Sequence, residues 1–522
     1  MNQNTQQDMF ELLDFEDFNE RIIRAYNDGS AEMGLPADIT TARSLMAPGT
    51  GRMRDFSYIA PEIPIFFNDN CVGCMECVTS CPDTAILGKV LSKSDYDAKL
   101  ATLEGEAKDQ FVGSFSQTKK FYNMIEKKGG DPGMFGIFVD PTKCKGCGEC
   151  VEVCDDEALA MEDKAAKGLP HFKDTFDIFK NLPDTSDEYI NEKVLSDMML
   201  KQEALDGFVG GAGACMGCGE VTCLRMMLAA TNFVYGPQCM GMVAATGCNT
   251  VYASTYPYNP YTAPWMNSLF ENCATTAAGV RLRWDQSGRK DKKLWAIGGD
   301  GGMLDIGFQA LSRVLTSDLD INVMVLDTQV YSNTGGQASG STFFGQEAKL
   351  SAHGKVNPGK VEMRKEAAQI AMMHPNVFVA CVSAAFPAHF YRAIMAANEF
   401  EGPSLIIAYT TCQPEHGVGD EMSNAQSKLA VESRTFPLFV HDPREGELLR
   451  DRLSLKGNPK IKDDWMKKPK TEDDLTFVDF ARTEGRFRKH FGKDGEPSEA
   501  LLCGSQQRLD NWRRLQEMAG LI

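Results

Sequence analysis

A chain of 522 residues is too long for one ordinary hydrophobic core, and 43% hydrophobic content is that of a globular protein of two or three domains. Its 72 acidic and 54 basic residues leave a net charge of -18, a surface that repels a polyphosphate backbone and argues against a nucleic-acid partner. The first twenty residues hold Asp8, Glu11, Asp14, Glu16, Asp17 and Glu20 with no Lys or Arg, the reverse of a targeting peptide, and no apolar run reaches the ~18 residues that cross a membrane. The expectation is a cytoplasmic protein with no membrane partner, in which the 17 cysteines serve metal ligation or redox chemistry rather than disulfides.

In chain order, residues 1–53 read as a polar, acidic arm with an amphipathic stretch from Phe10 to Tyr26 that packs on something else. Residues 54–169 contain two similar cysteine blocks: Cys71, Cys74, Cys77, Cys81 with Pro82, and Cys144, Cys147, Cys150, Cys154 with Asp155 in place of the proline. Both have the C-x2-C-x2-C-x3-C spacing of two-cluster bacterial ferredoxins, in which the fourth cysteine of each block serves the other cluster. The expected sets are therefore Cys71, Cys74, Cys77 and Cys154 for one 4Fe-4S cluster, and Cys144, Cys147, Cys150 and Cys81 for the other. A pair of zinc sites is the bland alternative, disfavoured because no histidine interrupts the eight cysteines. Between the blocks, about 88–138, a charged, helix-prone stretch around Ser94 to Lys128 reads as a surface insertion.

Residues 170–206, with Pro183, Asp184, Thr185, Ser186, Asp187 and Glu188, read as a linker. From 207 to 522 the texture is that of alternating strands and helices. Lys293 to Gly298, Ile321 to Leu326, Val377 to Ser383 and Ser404 to Tyr409 read as buried strands, and Leu304 to Leu315 and Ala388 to Phe400 as helices. This predicts a doubly wound α/β domain with a mainly parallel sheet, joined to a small α+β ferredoxin domain. Ligands of such sheets bind beyond the carboxyl ends of the strands.

Two motifs sit at that edge. Cys215 and Cys218 lie in the glycine-rich turn Gly213 to Glu220, ahead of a helical pattern from Val221 to Ala230, and form half a metal site that Cys248 and Cys412 are placed to complete. A zinc site or buried free thiols remain open alternatives at this point. Gly299, Asp300 and Gly301 follow a strand, and Thr328 ends the next. A carboxylate and a second oxygen on adjacent strand ends can hold Mg2+ against a diphosphate that backbone N-H groups approach through the glycines.

The residues Gly213 to Glu220, Ala245 to Cys248, Gly299 to Gly301 with Asp305 to Gly307, Asp327 to Gln337, and Ala408 to Cys412 together resemble the pyruvate:ferredoxin oxidoreductase family. The likeness covers about Arg54 to the C-terminus, in the family's order of ferredoxin domain followed by thiamine domain. The resemblance implies that Cys215, Cys218, Cys248 and Cys412 bind a third 4Fe-4S cluster near thiamine diphosphate. It implies that Glu220 contacts the cofactor, that Gly299, Asp300 and Gly301 line its diphosphate, and that Asp300, Thr328 and the carbonyl of Val330 ligate Mg2+. Tyr331, Ser332 and Cys248 fall in the implied cofactor-binding set, and Asn333 reaches toward thiamine and substrate, so that Glu220 and Asn333 are the implied catalytic residues. Two departures are Gly302, where an aromatic residue often stands, and a longer spacing from Cys218 to Cys248.

The implied reaction is the coenzyme A-dependent oxidative decarboxylation of pyruvate, with electrons passed to ferredoxin or flavodoxin. The glutamate that activates thiamine, and most of the substrate and coenzyme A sites, belong in the family to a pyrimidine-binding region that does not precede Cys71. A separate α-type subunit is therefore expected, in a hetero-oligomer with two copies of each chain. The alternatives are another 2-oxoacid such as 2-oxoglutarate, or a non-catalytic iron-sulfur subunit. Cys223, Cys239, Cys273, Cys381 and Cys503 read as core thiols, and His416 as a satisfied loop histidine.

Overall fold

The computed structural model describes residues 15–35, 39–42, 45–353 and 358–522. The amphipathic stretch is helical from Phe15 through a wider turn at Asn19–Ile23 to Asn27, its residues 10–14 lying outside the described set. Phe18, Ile22 and Ile23, at helical spacing, bury against Ala47 and Tyr258. The arm's partner is thus the C-terminal domain of the same chain.

The N-terminal module is built from antiparallel pairs. Glu62–Phe66 pairs with Leu159–Asp163, and Ile86–Ser92 pairs along its whole length with Gly133–Val139, which Phe115–Ser116 joins on its other side. The apolar runs Ile86–Leu91 and Met134–Phe138 sustain this pairing, so the inserted segment starts only after Ser92 and ends before Gly133, shorter than the expected 88–138. It also has a core of its own. Tyr96 and Phe111 stack with centroids 5.0 Å apart, and Phe115 lies 5.0 Å from Phe111, contacts each contributing about 0.5–1.5 kcal/mol beyond burial.

Residues 170–206 are not a linker. The helix Leu169–Lys180 buries Phe172, Phe176 and Phe179, with Phe179 against Phe138 of the N-terminal module at 5.4 Å. Tyr189, Leu195 and Met198 to Leu200 continue into the same apolar core. Burying these side chains, at about 1.5–3 kcal/mol each, makes the segment a packed strap.

The C-terminal domain holds an eight-stranded sheet in the order Leu453–Ser454, Phe439–His441, Phe378–Ser383, Ser404–Tyr409, Asn322–Asp327, Lys293–Gly299, Met240–Ala245, Trp265–Ser268. The six strands from Phe378–Ser383 onward are mutually parallel, and Phe439–His441 alone runs against them, pairing antiparallel with both Phe378–Ser383 and Leu453–Ser454. The expected strands stand within a residue or two of their predicted ends. The helix expected from Leu304 is in two parts, a wide turn at Gly301–Ile306, closed by the Gly307 N-H on the Gly302 carbonyl at 2.8 Å, and a helix at Phe308–Leu315. The helix after Cys218 is longer than its pattern, running Gly219–Tyr235 until Gly236 turns at φ +86°.

Specific bonds lock the module onto this domain. Arg225 donates to the carbonyl of Val78 (2.7 Å) and to Thr84 Oγ1 (3.0 Å). The Glu149 carboxylate accepts the N-H groups of Ser423 (2.9 Å) and Asn424 (2.7 Å) at a helix start. Lys145 pairs with Asp83 at 2.7 Å and donates to the carbonyls of Ala212 (3.0 Å) and Ala214 (2.9 Å). Among the described residues no helix is long and apolar enough to cross a membrane.

Candidate functional site

The two cysteine blocks repeat in backbone as well as in sequence. Gly73 (φ +77°) and Met75 (φ +68°) in the first correspond to Gly146 (φ +78°) and Gly148 (φ +83°) in the second. Two left-handed residues in five curl each loop so that its first three sulfurs face one hollow. Cys71, Cys74, Cys77 and Cys154 line one cavity, and Cys81, Cys144, Cys147 and Cys150 line another. Each fourth cysteine accepts an N-H from the residue four positions on, Ala85 to Cys81 at 3.4 Å and Ala158 to Cys154 at 3.2 Å, so Asp155 in place of proline leaves that turn intact. Burial pushes the Cys71 thiol up to about 11 and Cys144 up to about 12. Iron binding there must displace protons.

A third cavity, of about 110 Å3, lies at the carboxyl edge of the sheet and is lined by Cys215, Cys218, Cys248 and Cys412 together with Glu220, Tyr252, Thr328, Ser332 and Asn333. Close approach of the chain explains the glycines here. A Cβ on Gly217 (φ +67°) would stand 1.8 Å from the carbonyl oxygen of Asp420, and one on Gly219 2.5 Å from the Thr411 nitrogen. Only glycine lets the 411–420 segment lie on the turn and bring Cys412 to Cys218. Cys218 and Cys412 each precede a helix and Cys248 begins one, where unpaired N-H groups favour anionic sulfur. Cys248 donates to Ser332 Oγ at 3.6 Å. Among the described residues no three His, Cys, Asp or Glu side chains close on a single point as one metal ion requires; the thiols ring hollows instead. Glu220 is buried, and that burial pushes its carboxyl up to about 8.

Beside this cavity the Thr328 hydroxyl lies within 3.2 Å of two other oxygens. Thr328 Oγ1 lies 3.2 Å from Asp300 Oδ1 and 3.1 Å from the carbonyl of Val330. Octahedral Mg2+ with bonds of about 2.0–2.1 Å sets neighbouring ligands about 3 Å apart, the spacing observed. Asp300 is fully buried, accepts the Thr328 N-H at 3.2 Å and the Ser339 hydroxyl at 2.5 Å, and is raised by burial and by Asp327. The glycines flanking it differ in purpose. A Cβ on Gly299 would meet nothing nearer than 3.9 Å, leaving an open face for a ligand, whereas on Gly301 it would strike the Tyr331 ring at 2.4 Å. Tyr331 therefore packs on the loop and donates to Asp305 (3.4 Å) rather than lining the cavity. At Gly302 the space of an aromatic residue is taken by Phe270, 3.3 Å from where its Cβ would be.

His416 is the satisfied histidine expected, and it also ties the two halves of the site. Its Nδ1 accepts the Cys412 N-H at 3.4 Å, so Nε2 carries the proton donated to the carbonyl of Thr328 at 2.9 Å. Burial and Arg486 hold it well below the ordinary histidine range. Sequence reasoning missed the support behind it. Arg486 binds Glu484 (2.6 Å) and Gln329 (3.0 Å), Tyr409 donates to Glu484 (3.4 Å), and Arg364 pairs with buried Asp327. Their partners lie up to 157 residues apart in sequence, so no local signal marks them. Tyr252 was also missed, although its position one helical turn after Cys248 was a usable signal. Of the remaining cysteines, Cys223, Cys239, Cys273 and Cys381 are buried as expected; Cys503 is exposed on the outer side of the C-terminal helix Glu499–Met518, which corrects its reading as core.

Fold and site together define a class, proteins that join a thiamine-binding α/β domain to a two-cluster ferredoxin module. Residues 245–408 match the thiamine pyrophosphate enzyme C-terminal TPP binding domain, and residues 63–155 match the 4Fe-4S dicluster domain. The chain is 34% identical over 297 residues to the pyruvate synthase subunit PorB of Pyrococcus furiosus, covering 56% of this chain and 88% of that subunit. It is 28% identical to the pyruvate-flavodoxin oxidoreductase of Rhodospirillum rubrum over 89% of this chain, and 27% identical to the pyruvate:ferredoxin oxidoreductase of Moorella thermoacetica over 96%. It belongs to the pyruvate:ferredoxin oxidoreductase family. The chain spans 42% and 46% of the length of those two enzymes.

Proposed function

We propose that this chain is the thiamine diphosphate and iron-sulfur subunit of a pyruvate:ferredoxin oxidoreductase, or pyruvate synthase, which converts pyruvate and coenzyme A to acetyl-CoA and CO2 and passes electrons to ferredoxin or flavodoxin. The observation that carries this reading is the meeting of Cys215, Cys218, Cys248 and Cys412 with Glu220 and Asn333 beside the Asp300, Thr328 and Val330 oxygens. When bound, thiamine diphosphate supplies the electron sink for decarboxylating a 2-oxoacid, and iron-sulfur clusters supply acceptors of single electrons.

The residues fit these groups. Asp300, Thr328 and the Val330 carbonyl hold Mg2+, and the open face of Gly299 admits the diphosphate. Glu220, mostly protonated near neutrality because of its burial, can donate a hydrogen bond into the cavity, and Asn333 offers an amide from its other wall. The cysteine sets of the three cavities hold three 4Fe-4S clusters. Lys145 bonds the second block to the carbonyl of Ala214, next to Cys215, so the cavity of Cys81, Cys144, Cys147 and Cys150 is the inner of the ferredoxin pair. The other set includes exposed Cys74 and faces the external acceptor. An α-type subunit bearing the pyrimidine-binding and coenzyme A-binding domains completes the enzyme, with two copies of each chain. The subunit name of the Pyrococcus relative supports that division.

Anaerobic purification with iron, sulfide and thiamine quantitation, alone and with the α-type partner, tests the proposal. About twelve irons per chain, four for each cubane, are expected, with bound thiamine and with pyruvate- and coenzyme A-dependent ferredoxin reduction only when both subunits are present. About eight irons and no thiamine would instead mark a non-catalytic electron-transfer subunit. Turnover of a 2-oxoacid panel decides the substrate, and a preference for 2-oxoglutarate overturns the choice of pyruvate.

A further inference from the structure

Tyr252 lies four residues after Cys248 on the helix Cys248–Ala253, the spacing that stacks two side chains on one face. Its side chain is 2% exposed and lines the cavity shared by Cys215, Cys218, Cys248, Cys412 and Glu220. Its hydroxyl is buried and has no hydrogen-bond partner among the described residues. A buried tyrosine hydroxyl ordinarily finds a partner, because an unmade hydrogen bond leaves its desolvation uncompensated. Burial, with Tyr261, Glu220, Cys218 and Cys248 nearby, holds the phenol well above the usual tyrosine range, so it keeps its proton. It is therefore a donor without a partner, carried by a side chain that lines the hollow.

We infer that the Tyr252 hydroxyl donates a hydrogen bond to a sulfur of the cluster held by Cys215, Cys218, Cys248 and Cys412. The inference rests on the cluster assignment proposed above. A hydrogen bond to cluster sulfur favours the reduced state, which carries one more negative charge, so Tyr252 raises the potential of the cluster next to thiamine. Phenylalanine at this position keeps the ring and its packing while removing the donor.

The test is a potentiometric titration of the anaerobically reconstituted chain, each cluster followed by electron paramagnetic resonance, in wild type, in Tyr252→Phe and with 3-fluorotyrosine placed at position 252. In Tyr252→Phe one cluster of three is expected to require a potential lower by about 59 mV, a tenfold change in its reduced-to-oxidised ratio, with the other two unmoved. The more acidic fluorinated phenol donates more strongly and is expected to move the same cluster the opposite way. If Tyr252→Phe loses iron, the fluorinated protein, whose packing is almost unchanged, decides alone. Unmoved midpoints, or a shift confined to a ferredoxin-type cluster, overturn the inference. A wild-type chain with only two clusters overturns the cluster assignment instead.

Discussion

Arg364 and Asp327 form a buried ion pair, their side chains 5% and 0% exposed, at the strand end that carries Thr328. Replacing Arg364 with methionine keeps an unbranched stem over the Phe343 ring, whose centroid is 4.9 Å from the guanidinium, and strands the Asp327 carboxylate in the interior. Opposite charges 4 Å apart at an effective dielectric of 20 attract with about 4 kcal/mol, and breaking one side of a buried pair costs about 3–5 kcal/mol. Arg364→Met is therefore expected to lose about 4 kcal/mol of stability. The assay is anaerobic urea unfolding followed by tryptophan fluorescence, in which Trp295, fully buried in the neighbouring strand Lys293–Gly299, reports on this part of the sheet. Adding Asp327→Asn removes the stranded charge and keeps the oxygen that accepts the Gln329 N-H at 3.1 Å, so the double variant should recover much of the loss. A loss below about 1 kcal/mol in the single variant, or a double variant no more stable than Arg364→Met, would refute the reasoning.

Three further outcomes follow from the same geometry. Burial pushes the Glu149 carboxyl from its usual 4.5 up to about 8, so the folded chain keeps a proton that the unfolded chain releases; the associated stability is full below about 4.5 and is lost as pH rises through about 8. Unfolding free energies from urea titrations across that window should fall in wild type by up to about 5 kcal/mol and be flatter in Glu149→Gln; equal slopes would count against a buried, titrating Glu149. Cys412→Ser should remove about four irons and the signal of one cluster while both ferredoxin-type signals remain, and retention of all iron would take Cys412 out of the site. Asp300→Asn should weaken Mg2+-dependent thiamine diphosphate binding by about 100-fold in calorimetry, and because a proton competes with the metal at this raised carboxyl, wild-type affinity should fall as pH falls; an unchanged dissociation constant would remove Asp300 from the Mg2+ site.

The sheet was legible because its central strands are continuous apolar runs, which a parallel sheet covered on both faces requires. The cysteine blocks were legible because their spacing is itself the geometry of a wrap around a cubane. The strap at 170–206 was misjudged on the polar turn from Pro183 to Glu188, although Phe172, Phe176 and Phe179 recur at helical spacing just before it. The inserted segment was likewise judged by its charges, and the stack of Tyr96, Phe111 and Phe115 depends on a fold-back that composition does not encode. The buried charges around Gln329 were invisible for a stronger reason. Nothing local to Arg486 or Arg364 signals burial; tertiary structure delivers Glu484 and Asp327 to them, since a charge is tolerated inside only when its partner is already in place.

Cys81 and Cys154 have exchanged places, each completing the quartet begun by the other block. On the proposed assignment each block supplies one thiolate to its sibling's cluster, so a truncation that frees one block is expected to open the other's site as well. Loss of either block is thus expected to cost both sites, because Cys154, four residues after buried Cys150, lines the cavity that includes exposed Cys74.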